Sequence, residues 1–196
     1  MGNRKYEFTG ETRLFLGKTL RQIKALISFG SVSSGDLGGW IEKEENLSQD
    51  GNAWVYGNAW VYGDARVYDD ARVYDDARVY GDARVSGDAR VYGDAWVYGD
   101  AMVYGNARVS GDACVSGDAH LMWISKIGSR NDNITFMRSK ELKIIVAVGC
   151  FNGTIDEFEN KVKETHSNNE HAQAYFLAIQ LAKLRINLEE KGEQKQ

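Results

Sequence analysis

A mainly β chain organised as a solenoid is what the sequence predicts. Three features of its 196 residues carry that prediction: twelve uninterrupted hexapeptides, a small/aliphatic alternation inside each one, and a corner-forming pair between them. From Gly51 the chain reads GNAWVY, GNAWVY, GDARVY, DDARVY, DDARVY, GDARVS, GDARVY, GDAWVY, GDAMVY, GNARVS, GDACVS and GDAHLM. No helix has a period of six. The third residue of every unit is Ala and the fifth is Val, or Leu at position 121. Strand alternation puts these on one side and the bulky fourth and sixth residues on the other. Gly, Asp and Asn recur at the first two positions because they accept the left-handed backbone that a corner requires.

The repeat occupies residues 51–122, between an N-terminal cap at 1–50 and a C-terminal module at 123–196. In the first segment Ile41 and Leu47 already stand six apart, whereas Leu47 and Val55 are eight apart. That spacing predicts a β-rich cap with one irregular rung and a two-residue shift before the regular repeat. After Met122 strands are expected at 123–127, 134–138 and 143–151, with Cys150 at a buried strand end. Thr154 and Glu157 form a capping box for a helix reaching about Thr165. A second helix is expected from Asn169 to Glu190, its apolar stripe being Tyr175, Ile179, Ala182 and Ile186, with a polar tail after Lys191.

Composition narrows the function classes. The start of the chain lacks a signal-like apolar run, and no stretch is apolar enough to span a bilayer, so a cytoplasmic protein is expected. Cys114 and Cys150 fit neither a disulfide framework nor zinc spacing. The net charge of −4 divides unevenly: six Arg against eleven Asp give the repeat −5 and leave +1 on the flanks. Long-range attraction of nucleic acid by the solenoid is therefore weak.

The repeat resembles the hexapeptide-repeat family of left-handed parallel β-helices. That resemblance implies three hexapeptides per triangular coil, four coils in all, and stacking of residues 18 apart. A two-sided coil of twelve residues and a right-handed winding are the alternatives. The flanks with the repeat, including the segment V-G-C-F-N-G-T-I-D-E-F, resemble uncharacterised hexapeptide-repeat proteins encoded by phages and prophages. This second resemblance implies a viral or prophage origin and transfers no site residues.

With residues 18 apart stacked, the outward side chains sort into three faces. The first carries Trp54, Arg72, Arg90 and Arg108 beside Tyr56, Tyr74, Tyr92 and Ser110, a basic aromatic strip suited to a nucleotide or single-stranded nucleic acid, holding phosphate and stacking on a base. Arg and Tyr columns also pack on one another, which explains them structurally without a ligand. The second carries Trp60, Arg78, Trp96 and Cys114 beside Tyr62, Tyr80, Tyr98 and Ser116. Its aromatic content makes Trp60, Trp96, Tyr62, Tyr80 and Tyr98 the expected interface for self-association, as a trimer, a dimer or an end-to-end stack, or for a protein partner. The third carries Arg66, Arg84, Met102 and His120 beside Tyr68, Ser86, Tyr104 and Met122. Corner residues Asp64, Asp82, Asp100 and Asp118 form a carboxylate column, which turn preference explains without a cation.

No phosphate-binding loop, metal cluster or catalytic triad is found, and neither a catalytic residue nor a cofactor is assigned. The expectation is a non-enzymatic phage or prophage protein that presents its β-helix to a host protein or nucleoprotein complex, as an inhibitor of a CRISPR or other immune effector or by sequestering a nucleotide signal. Two alternatives remain: a trimeric acyltransferase-like enzyme using His120, the one outward His of the repeats, and a structural protein of the virion.

Overall fold

The computed structural model describes residues 4–189. An antiparallel hairpin of β1 (Tyr6–Phe15) and β2 (Lys18–Ala25) opens the chain, and β2 pairs antiparallel with β3 (Leu37–Ile41). Eleven two-residue strands follow: β4 (Trp54–Val55), β5 (Trp60–Val61), β6 (Arg66–Val67), β7 (Arg72–Val73), β8 (Arg78–Val79), β9 (Arg84–Val85), β10 (Arg90–Val91), β11 (Trp96–Val97), β12 (Met102–Val103), β13 (Arg108–Val109) and β14 (Cys114–Val115). They are short because a corner arrives every six residues.

Pairing settles the number of sides. Trp54, Arg72, Arg90 and Arg108 lie in parallel register, as do Trp60, Arg78, Trp96 and Cys114, and Arg66, Arg84 and Met102. Each step is 18 residues. The solenoid is therefore three-sided with about four turns, and the twelve-residue coil is excluded. Each rung donates downward to the next, as in Arg72 N–H to Ala89 O at 2.9 Å and Tyr74 N–H to Val91 O at 3.0 Å. Ala and Val of every unit from Ala53 to Val115 are buried in one continuous core.

The irregular upper rung has the expected two-residue shift. Ile41 pairs with Val61 and Leu47 with Val67, twenty apart rather than eighteen. Here β3 crosses so close to the solenoid that a Cβ on Gly38 would stand 2.5 Å from the Ile23 side chain and 2.7 Å from the Trp54 ring. Tyr6, Ile23, Ala25 and Val32 complete the upper end of the core.

The twelfth unit departs from the pattern. Asp118–His120 form a 3-10 turn instead of a strand corner, and the chain leaves the solenoid as β15 (Leu121–Ile127). β16 (Asp132–Arg138), β17 (Ile144–Val148) and β18 (Phe151–Thr154) complete an antiparallel sheet in the order β15-β16-β17-β18. One side of this sheet, with Met137, Ile145 and Ala147, closes the lower end of the solenoid core. The other, with Ile134, Phe136, Ile144, Val146 and Val148, packs on α1 (Ile155–His166) and α2 (Glu170–Arg185). Two-sided burial explains why β17 is apolar at every position.

Two expectations for this module are corrected. The run 143–151 is not one strand, because Gly149 at φ +55° turns the chain back as a hairpin, and Cys150 is consequently exposed rather than a buried strand end. The second helix stops at Arg185, with Ile186 as its C-cap; the anticipated end at Glu190 and the polar tail lie outside the described residues. The capping box is present as expected: Thr154 Oγ1 accepts from Glu157 N–H and Glu157 Oε2 from Thr154 N–H. Tyr175, Ile179, Ala182 and Ile186 are all buried. No helix among the described residues is long and apolar enough to cross a membrane.

Candidate ligand-binding face

The caps decide which outward side chains stay accessible. On the first face Trp54 is 1% exposed, held edge-on by Phe29 at 5.4 Å and Tyr6 at 6.1 Å. It belongs to the upper core, which corrects its expected binding role. At the other end Arg108 donates its backbone N–H to Thr135 Oγ1 at 3.0 Å and its Nη1 to Gly149 O at 3.2 Å, while Asn152 donates to Ser110 Oγ at 3.0 Å. That side chain is anchored to the lower module.

Between these ends lie Arg72, Arg90, Tyr56, Tyr74 and Tyr92. Tyr74 and Tyr92 stack at 4.9 Å with planes 1° apart, and Tyr56 meets Tyr74 edge-on at 6.4 Å. The Tyr56 hydroxyl lies 3.2 Å from Ser31 Oγ. Ser31, Tyr56, Arg72, Tyr74 and Arg90 line an open concavity of about 290 Å³. Neither guanidinium forms a hydrogen bond or ion pair with any described residue. Burial, then Tyr92, pushes the Tyr74 phenol above its ordinary range. Ser31 comes from the cap, about forty residues upstream of Arg72, and no signal in the sequence places it here.

The second face is largely covered by the chain itself. Phe15 from the hairpin meets Trp60 at 4.8 Å and Tyr62 at 5.9 Å, and Tyr62 is 7% exposed. Arg78 lies over Trp60 at 4.7 Å, Phe15 at 5.4 Å and Trp96 at 5.6 Å, and Lys140 covers Trp96 from below at 4.4 Å. Tyr62, Tyr80 and Tyr98 stack at 5.0 Å spacing. Cation-π and stacking contacts therefore satisfy within the protein much of what the sequence assigned to a partner.

On the third face Arg66 and Arg84 are exposed in register above Met102, but His120 does not continue their column. It is 3% exposed, and its Nδ1 lies 3.2 Å from Ser116 N and 3.0 Å from Ser116 Oγ. The 3-10 turn draws the ring inward, so the expectation of an outward His is corrected. His166 and His171 adjoin at the α1–α2 junction, 5.9 Å apart, across the sheet from the solenoid. Of the corner carboxylates, Asp64 meets Lys43 at 2.6 Å, and Asp69 and Asp75 each accept the Gly N–H eighteen residues on at 3.1 Å, whereas the side chains of Asp82, Asp100 and Asp118 form no hydrogen bond or ion pair with a described residue. Among the described residues no group of three acidic, His or Cys side chains is placed to hold a metal ion.

The repeats match the YdcK Beta solenoid repeat. The matched windows are 65–81, 71–85, 83–99, 95–110 and 101–117, all inside the solenoid. A relative from Escherichia coli (strain K12), the "Uncharacterized acetyltransferase YdcK", is 41% identical over 61 residues, covering 27% of this chain and 19% of that protein. The match thus spans about a fifth of the relative's length. The repeat windows support a YdcK-like β-solenoid and lie outside both caps. The phage-inhibitor expectation gains nothing from either comparison.

Proposed function

We propose that the chain is a ligand-binding β-solenoid whose first face takes a nucleotide-bearing anion. The observation that carries this reading is the pair Arg72 and Arg90, stacked in register beside Tyr74 and Tyr92 with no ion-pair partner among the described residues. Adjacent strands lie about 4.8 Å apart, so two guanidiniums there repel by about 1–3 kcal/mol at surface dielectric values, and a bound phosphate reverses the sign. The tyrosine rings supply the apolar plane on which a base stacks.

The name of the bacterial relative favours one such ligand over free nucleotides. Acetyl-coenzyme A combines an adenine ring with phosphates, the two groups this face is suited to hold, and acyl transfer is accordingly the enzymatic form of the same proposal. In that form the acid–base group comes from outside the His120 position, because His120 is buried against Ser116.

Calorimetric titration with acetyl-coenzyme A, coenzyme A, ATP and inorganic phosphate tests the reading. Saturable binding of at least one nucleotide-bearing ligand is expected, weakened at least tenfold in Arg72→Glu/Arg90→Glu. Absence of binding by all three nucleotides, or equal binding by the double variant, defeats it. Acetyl transfer to an amine by the intact chain, lost in the same variant, selects the enzymatic form.

A further inference from the structure

Helix α2 carries more apolar surface than its own core uses. Ala172, Tyr175, Ala178, Ile179 and Ala182 face inward. On the opposite side Leu177, Leu181 and Leu184 are 67%, 45% and 84% exposed. Their spacing of four and three residues is that of a second helical stripe. Residues 190–196, EKGEQKQ, contain no apolar side chain with which to cover it. Other exposed aliphatic residues, such as Leu14 and Leu16 at the β1–β2 turn, form no such periodic line.

We propose that this stripe packs against α2 of a second copy, antiparallel about a twofold axis. Charge along the helix favours that partner and that direction. Glu170, whose side chain is 88% exposed, opens the helix, and Lys183 and Arg185 close it. Lys183 is engaged with Glu159 of its own chain, whereas Arg185 is exposed and has no partner among the described residues. An antiparallel pair sets Glu170 of each copy against Arg185 of the other, over Leu177 at the centre, and opposes the two helix dipoles favourably. A parallel pair would align like charges. The isologous arrangement uses the same patch twice, as a closed dimer requires. At sixteen residues the helix is about 24 Å long, less than a standard interface needs by itself, so the dimer forms on the order of micromolar concentrations or above.

Sedimentation of the full chain across a concentration series is the test. The apparent mass should rise with concentration from 21.9 kDa towards twice that value. Leu177→Glu/Leu184→Glu should remain a monomer throughout while keeping the wild-type thermal transition, since both side chains are exposed. Glu170→Arg should weaken the dimer several-fold, and adding Arg185→Glu should restore it. A wild-type chain that stays monomeric at hundreds of micromolar overturns the proposal. So does an oligomer that survives the leucine double variant, which would place self-association elsewhere, for instance on Trp96 and Tyr80. Dimerisation that ignores the charge exchange overturns the antiparallel arrangement.

Discussion

Burial of Lys5 predicts that the stability of this protein rises with pH through the mildly alkaline range. Only 2% exposed, Lys5 sits on the upper end of the solenoid, where its Nζ donates to Ala53 O at 3.0 Å, Asp50 O at 3.3 Å and Gly51 O at 3.5 Å. Removal from water disfavours its charge more than Asp50 restores it, and the pKa is pushed down to about 8. The unfolded chain holds this proton up to the ordinary lysine range, so between these limits the unfolded state binds more protons and stability rises with pH. Integrated from roughly pH 7 to roughly pH 10, the gain is about 2.5 kcal/mol. Urea unfolding at a series of pH values reads it directly. Above about pH 10 the sign reverses, because burial raises the phenols of Tyr6 and Tyr80 and the unfolded state loses those protons first. Lys5→Met should flatten the rise below that point. An unchanged slope in the variant would refute the assignment to Lys5.

Three further outcomes are expected. Gly81 has φ +70°, and an added Cβ would stand 2.9 Å from Gly99 N, whereas Gly57 at φ +54° has open space around it. Gly57→Ala should therefore cost about 1–2 kcal/mol for its backbone alone, and Gly81→Ala clearly more, by denaturant titration of both. Trp54→Ala should lose about 3–5 kcal/mol as a core truncation, and Trp96→Ala, half-exposed, less than half of that. Partial burial of Glu42 raises its pKa, but Gly63 N–H at 2.7 Å and Lys18 at 3.0 Å outweigh this and hold it below the ordinary carboxylate range. Its contribution is present above the unfolded-state pKa and disappears as pH falls through the lower folded value, so Glu42→Gln should show a smaller drop in melting temperature on acidification.

Most of the fold was legible because its signals are local and repeated. Ala at the third position of each hexapeptide and Val, or Leu in the last, at the fifth determine the inward face, and the irregular rung followed from the eight-residue gap between Leu47 and Val55. The capping box at Thr154 and Glu157 marked α1 for the same reason. Errors arose where one residue redirected the chain. Gly149 bent an apolar run into a hairpin and exposed Cys150. The final unit kept the repeat spacing, but its Asp118–His120 turn brought His120 against Ser116.

The candidate site was only half readable. Its Arg and Tyr columns follow from stacking at 18 residues, but accessibility depends on side chains remote in sequence: Phe29 over Trp54, Phe15 over Trp60, Lys140 over Trp96, and Ser31 beside Tyr56. No local pattern encodes those meetings. The exposed stripe of α2 lay hidden for a related reason, because a helix apolar on two sides shows which side is buried only once it is packed.

The sequence by itself thus determined the repeating strand-and-corner unit and its apolar interior, which depend on periods of two and six residues; strand pairing fixed the coil at eighteen residues and with it the composition of the three faces. The tertiary structure alone decided which members of those faces meet solvent. That choice is made by caps separated from the solenoid by tens of residues, through burial and packing that no period records.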